Sequence, residues 1–251
     1  MHLSFLHDLL RRLQGTDRQR IDTLYFFMHI PKTAGTSLRK MLWQSFKQDE
    51  VLPNQQDIRA NNRKYPSLHM LQRQPERLAR TRLFSGHYPY GAEAIFPHPH
   101  IVRLTFLRDP IARCFSQARQ IKRRFPHLAE ASPEQIMQEK NIAFDNLQTR
   151  YFCGSLRKEE PPGSLDQAIE ALETFNFVGI SEAFADSIQL LEKQQRWSLG
   201  EPRHANKSAN FLEPEWESYR SLLTERNQLD LKLYTHAQQR FSEQCRRYGI
   251  S

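Results

Sequence analysis

Residues 23–38 read TLYFFMHIPKTAGTSL. Thr23–Ile30 is β-branched and aromatic, an almost unbroken apolar run suited to a buried strand. Pro31–Thr36 is a short loop. Ser37–Phe46 then sets Leu38, Met41, Leu42 and Phe46 at helical spacing. A strand that enters a tight loop from which a helix leaves makes an anion cradle, because loop N–H groups converge and the helix start adds partial positive charge. Gly35 permits close backbone approach. Lys32 adds a full charge, and Thr33, Thr36 and Ser37 add hydroxyl donors. The bland alternative is a plain strand–turn–helix corner. The loop does not follow the ATPase pattern GxxxxGK[ST], in which lysine closes the loop. Here Lys32 opens it, and Gly35 is its single glycine.

Outward from this stretch, the pattern repeats. Arg82–Ser85 reads as a short strand ending at Gly86-His87. Ile101–Leu107 is a second strand, running into Arg108-Asp109-Pro110 and a helix from Ile111 to about Phe125. Pro110 suits the first helical position and Asp109 the cap. Phe175–Ile180 is a further strand. Helices are expected at Glu134–Phe144, Phe184–Leu199 and Glu225–Tyr248. Strands alternating with helices predict an α/β fold with a mostly parallel central sheet, whose ligands sit at the carboxyl ends of the strands. The 251 residues fit a single domain, 1–251. Met1–Leu13 reads as an amphipathic helix packing on the body, within an N-terminal extension spanning 1–20. Polar segments 47–80 and 126–165, broken by prolines, read as insertions lining an acceptor cleft.

Composition narrows the partners. Lys and Arg total 36 against 28 Asp and Glu, a net charge of +8, so anionic partners are favoured: nucleic acid, an acidic polymer or a phosphate-rich cofactor. Basic strands interleaved with aromatics, zinc spacing and a helix-turn-helix are all missing, so no nucleic acid is expected. Cys114, Cys153 and Cys245 form no CxxC pair, which predicts neither a disulfide framework nor a zinc site. His98 and His100 alternate with Pro97 and Pro99 as a rigid extended turn, and no metal is expected. No apolar run approaches eighteen residues and no export signal is evident, so a cytoplasmic location without a transmembrane segment is expected.

Two motifs together are specific. The PKTAGTS loop and the segment LTFLRDPIARCFSQ, Leu104–Gln117, resemble the two nucleotide-binding motifs of sulfotransferases that use 3′-phosphoadenosine 5′-phosphosulfate (PAPS). The likeness is closer to the uronosyl 2-O-sulfotransferase type. Ser85-Gly86-His87-Tyr88 resembles its strand-end histidine motif, Asn146–Gly154 its central NLQ…FCG region, and Phe177–Glu182 its VG-[VIT]-x-E strand. Ser85 stands where those enzymes usually carry a second histidine. The resemblance spans roughly Leu24 to Phe241. It implies a three-layer α/β/α fold of the P-loop-NTPase-like sulfotransferase kind, with PAPS as sulfuryl donor and PAP as product. The acceptor would bear a hydroxyl, as in an acidic polysaccharide or another glycan.

The resemblance also implies roles. Thr33, Ala34, Gly35, Thr36 and Ser37 would hold the phosphosulfate, and Lys32 would stabilise the leaving group. Arg108 and Ser116 would bind the 3′-phosphate, although eight helical residues, about 12 Å, separate them. Arg203, Lys207 and Ser208 would close over the cofactor. His87 would be the general base, matched to neutral pH as an unprotonated imidazole. Candidate acceptor contacts are Arg59, Arg63, Lys64, Arg119, Lys122, Arg123, Arg124, Gln148 and Arg150. A nucleotide-dependent phosphotransferase on the same scaffold and a basic nucleic-acid-binding protein remain as alternatives.

Overall fold

A computed structural model describes residues 22–62, 64–157, 159, 161–200 and 214–250. The expected N-terminal helix and the candidates Arg63, Arg203, Lys207 and Ser208 lie outside the described residues.

The chain folds around a five-stranded parallel sheet built from β1 (Thr23–Met28), β2 (Val51–Leu52), β3 (Leu83–Gly86), β4 (His100–Leu107) and β5 (Phe177–Ile180), in the order β2-β3-β1-β4-β5. The parallel pairing agrees with the sequence expectation. Leu24, Phe26, Phe27 and Met28 of β1 are buried, as befits a central parallel strand. Met28 aligns with Gly86 on one side and Thr105 on the other. Thr105 is a buried polar residue in this core, and its hydroxyl donates to the Met28 carbonyl at 2.9 Å.

From β1 the chain runs to the β2 edge, and from β4 it runs to β5 at the opposite edge. The switch point therefore falls between β1 and β4. In open parallel sheets this is where a ligand crevice opens. The loops that begin at His29 and Arg108 emerge there, and the loop that begins at His87 emerges on the other flank of β1.

The helices that frame these loops are α1 (Gly35–Ser45), α2 (Pro110–Arg124), α3 (Leu147–Cys153), α4 (Leu165–Glu173), α5 (Phe184–Gln195) and α6 (Gln228–Arg247), with shorter helical turns between them. α1 buries Leu38, Met41 and Leu42, as its spacing predicts. α2 starts as expected: Pro110 opens it and the Asp109 carboxylate accepts the Ala112 N–H at 2.7 Å. The predicted helix 134–144 is instead a helix over Pro133–Glu139 followed by a 3₁₀ turn over Asn141–Phe144. The helix predicted to reach Leu199 stops at Gln195, because Arg196 adopts a left-handed conformation.

The two segments read as insertions carry regular structure. Segment 47–80 supplies edge strand β2 and helices Gln55–Ala60, Leu68–Gln72 and Pro75–Arg80. Asn54 caps the first of these, and Arg77 bridges back to Asp57 with two short contacts of 2.7 and 2.6 Å. Segment 126–165 contributes α3, whose residues Leu147–Phe152 are all buried, so this part belongs to the interior rather than to a cleft lining. The three cysteines are free thiols. No helix among the described residues is long and apolar enough to cross a membrane.

Candidate functional site

The loop after β1 is held in an unusual backbone shape. Lys32 (φ 71°) and Ala34 (φ 62°) both sit in the left-handed region, a conformation that costs non-glycine residues about 1–3 kcal/mol and concentrates at ligand-binding turns. Thr33, between them, is buried, and its hydroxyl donates to the Ile30 carbonyl at 2.9 Å. This corrects one expectation: the Thr33 side chain braces the loop instead of offering a donor to a ligand. α1 then begins with no side-chain cap. The first N–H groups of any helix lack intrahelical acceptors, so the start of α1 at Gly35 and Thr36 presents donors and partial positive charge. Thr36 is exposed and Ser37 half-buried beside it.

Gly35 is required by its neighbour. A Cβ there would stand 2.1 Å from Cδ2 of His29. The His29 ring cannot yield easily, since it is buried, stacked on Phe27 at 5.6 Å and close to His87 at 4.6 Å. Gly35→Ala is expected to destabilise the protein by about 1–3 kcal/mol through overpacking. Its urea midpoint is expected to fall and its anion binding to weaken together. Wild-type values for both would show that the loop tolerates a different His29 rotamer.

Positive charge gathers around the loop. The Arg108 guanidinium donates to the Lys32 carbonyl at 3.2 Å, so the first residue after β4 reaches the loop after β1. Burial pushes the Lys32 ammonium below its ordinary pKa, and Arg123, Arg108 and Arg119 press in the same direction. Burial also lowers Arg108, with Glu182 opposing and Arg119 and Arg113 adding to the shift. A site that depresses the pKa of its own cations is poised for a multivalent anion, which would relieve the repulsion.

Arg108 is firmly positioned. The Gln148 side-chain amide bonds its backbone in both directions, accepting from Arg108 N–H and donating to Arg108 C=O, each at 2.9 Å. Glu182 faces the Arg108 Nε at 3.7 Å and accepts the Asp109 N–H at 3.2 Å. Ser116 is buried within α2, and the Arg108 guanidinium turns toward Lys32. Arg119, one turn nearer the end of α2, is the helix residue whose charge bears on both Lys32 and Arg108.

His87 follows β3 at the adjacent strand end. Its Nδ1 lies 2.7 Å from the His29 carbonyl oxygen. A carbonyl only accepts, so Nδ1 carries the hydrogen and Nε2 keeps the free lone pair. The side chain reaches solvent, yet protein crowds it closely. Burial depresses its pKa from 6.5 to about 4; the His29 carbonyl opposes this, and Arg39 and Arg124 reinforce it. Tyr65 packs edge-on against the ring at 4.9 Å, and Arg39 lies over Trp43 and Tyr65 at 4.9 and 5.6 Å. Gly86 lets Tyr65 come so near, since a Cβ there would meet its ring at 2.8 Å. Ser85 is buried and accepts a bond from the Trp43 indole at 3.2 Å, so it fixes the aromatic wall beside His87.

The depressed pKa has a consequence for stability. Between pH 6.5 and about 4 the unfolded chain protonates at this histidine and the folded chain does not. The folded state therefore loses stability as pH falls through that window. His87→Asn should flatten this part of the urea-midpoint profile. Arg39→Met removes one depressing charge and should raise the His87 pKa, read from its ring-proton NMR shifts. A pKa that stays put would show that Arg39 does not face the imidazole electrostatically.

Among the acceptor candidates, two are reassigned. Gln148 is buried against Arg108. Arg150 is 3% exposed and bonded to Asp145 at 2.6 Å, so it stabilises the turn before α3 instead of facing a ligand. Arg59, Lys64, Arg123 and Arg124 are exposed, and Lys122 approaches Glu215 at 3.9 Å. No group of three or more His, Cys, Asp or Glu side chains suited to a metal occurs among the described residues. Sequence reasoning gave no role to His29, Arg39, Tyr65, Asp230 or Tyr234, all of which the fold brings to or behind this site. No protein-family model and no curated protein matches the chain.

Proposed function

We propose that the chain is a PAPS-dependent O-sulfotransferase acting on a hydroxyl-bearing carbohydrate. One observation carries this reading: a neutral histidine with Nε2 as its free base lies beside a cationic loop at the sheet's switch point, linked to it through the His29 carbonyl at 2.7 Å. Transfer of a sulfuryl group needs those two elements, a proton acceptor for the incoming hydroxyl and fixed positive charge for the departing phosphate. The helices flanking the parallel sheet are compatible with the three-layer, P-loop-like scaffold of the sulfotransferases that the motifs resemble. A doubly phosphorylated nucleotide fits a site whose cations lower one another's pKa.

In this account PAPS supplies the sulfuryl group. The loop N–H groups from Thr33 to Ser37 and the start of α1 orient the phosphosulfate. Lys32 neutralises charge developing on the 5′-phosphate oxygen as its bond to sulfur breaks. His87 Nε2 takes the acceptor hydroxyl's proton as the new oxygen–sulfur bond forms, while the His29 carbonyl stabilises the resulting imidazolium through Nδ1–H. The approach of the bound anions raises the affinity of His87 for that proton above its value in the free protein. Arg108, with Arg119 behind it, is suited to the 3′-phosphate, since a guanidinium grips phosphate oxygens in pairs. The assignments of Ser116, Arg203, Lys207 and Ser208 rest on the sequence resemblance alone.

The test is incubation with sulfur-labelled PAPS and a panel of uronate-containing and neutral glycans. Label appearing in glycan, with one equivalent of PAP released, supports the reading. Release of label only to water, or turnover of ATP with Mg²⁺ in its place, would reject it.

A further inference from the structure

Two independent bonding paths run from one face of the terminal helix to Arg108. Asp230 and Tyr234 stand four residues apart on α6, hence on the same side of it, and both are buried. The first path begins at the Asp230 carboxylate, which accepts the backbone N–H groups of Gln148 at 3.0 Å and Thr149 at 2.7 Å and the Thr149 hydroxyl at 2.8 Å. It thereby fixes the start of α3, and Gln148 in turn grips the Arg108 backbone at both its N–H and its C=O. The joint is reciprocal, because the Asn146 side-chain oxygen accepts the N–H groups of Leu229 and Asp230 at 2.9 and 3.1 Å. The second path begins at the Tyr234 hydroxyl, which donates to Glu182 at 2.8 Å. The other oxygen of that carboxylate accepts the Asp109 N–H at 3.2 Å and faces Arg108 Nε at 3.7 Å.

We propose that α6, through Tyr234 and Asp230, is the positioning element that sets Arg108 for recognition of the donor's 3′-phosphate. Asp230 acts on the Arg108 backbone through Gln148, and Tyr234 acts on its guanidinium through Glu182. Neither residue touches the ligand. Each restricts one of the two freedoms that would otherwise let the arginine swing away from the β1 loop, so the entropic cost of ordering it is met on folding. The inference rests on the donor reading above.

The experiment is calorimetric titration with PAP and with adenosine 5′-monophosphate, which lacks the 3′-phosphate. It compares the wild type with Tyr234→Phe, Arg108→Ala and the double variant. Tyr234→Phe keeps the ring and removes only the hydroxyl. PAP affinity should fall roughly three- to tenfold, the worth of one hydrogen bond, with monophosphate affinity unmoved. In the Arg108→Ala background the same change should have no further effect, because Tyr234 acts only through that arginine. Equal losses for both nucleotides, no loss, or an additive loss in the double variant would each overturn the inference. A wild type that binds the two nucleotides equally would remove the donor reading itself, an outcome distinct from the others. Gln148→Ala, which cuts the Asp230 path at its last link to the Arg108 backbone, should lower PAP affinity selectively in the same way, and an unchanged ratio of the two affinities would overturn that path.

Discussion

Lys32→Ala is expected to slow the proposed sulfuryl transfer by about 10²–10³-fold, the usual cost of losing one preorganised group that stabilises developing negative charge. The residue is half-buried and stands among Arg108, Arg119 and Arg123. Those neighbours would still attract the nucleotide, so PAP affinity should fall less than the rate does. Arg108 is already committed, its backbone to Gln148 and its guanidinium to the Lys32 carbonyl and Glu182. Single-turnover kinetics with labelled PAPS separates the two quantities. Equal losses in affinity and rate would make Lys32 a binding residue only, acting on ground state and transition state alike.

His87→Asn should lower the rate further, by about 10²–10⁴-fold, while leaving PAP binding intact. Asparagine is chosen because its side-chain amide can still donate to the His29 carbonyl, which the imidazole Nδ1 meets at 2.7 Å. The loop geometry is thus retained and the proton acceptor alone is removed. In the wild type the histidine is neutral across the physiological range, since its free pKa lies at about 4. The rate should therefore not collapse on mild acidification until His87 begins to protonate, at a pH set by the bound anions. Wild-type turnover in His87→Asn would assign the base elsewhere, and the buried, jammed His29 is a poor substitute.

Much of the fold was legible because its signals are local. The apolar run of β1, the spacing of Leu38, Met41 and Leu42, and the Asp109-Pro110 start of α2 all act within a few residues, and each appears as expected. What was missed is non-local or too short for a pattern. β2 has two residues, fewer than any periodicity can reveal, and exists because β3 offers it an edge. The expected helix from Glu225 is instead a short helix over Arg220–Arg226 and then α6, parted at Asn227, whose amide donates to the Phe144 carbonyl, 83 residues away, at 3.0 Å.

The site divides in the same way. Arg108 and His87 lie directly after strand ends, Lys32 and Gly35 lie in the loop and helix start that follow β1, and the topology of a parallel sheet brings these loops to neighbouring strand ends. Ser85 departs from a histidine pair, and its bond to Trp43 gives it a physical role. Charge and polarity alone make Gln148 and Arg150 acceptor candidates, but both side chains are committed internally through partners distant from any local pattern. Asp230 and Tyr234 carried no signal at all, because on a long amphipathic helix a buried aspartate and tyrosine resemble ordinary facing residues until their partners are known.

The most direct test of the central claim is calorimetric titration of the wild type with PAP, set against adenosine 5′-monophosphate and ATP with Mg²⁺. The account predicts tight PAP binding, much weaker binding of both controls, and loss of the PAP preference in Arg108→Ala. Binding that ranks the three nucleotides equally, or favours ATP, would contradict it.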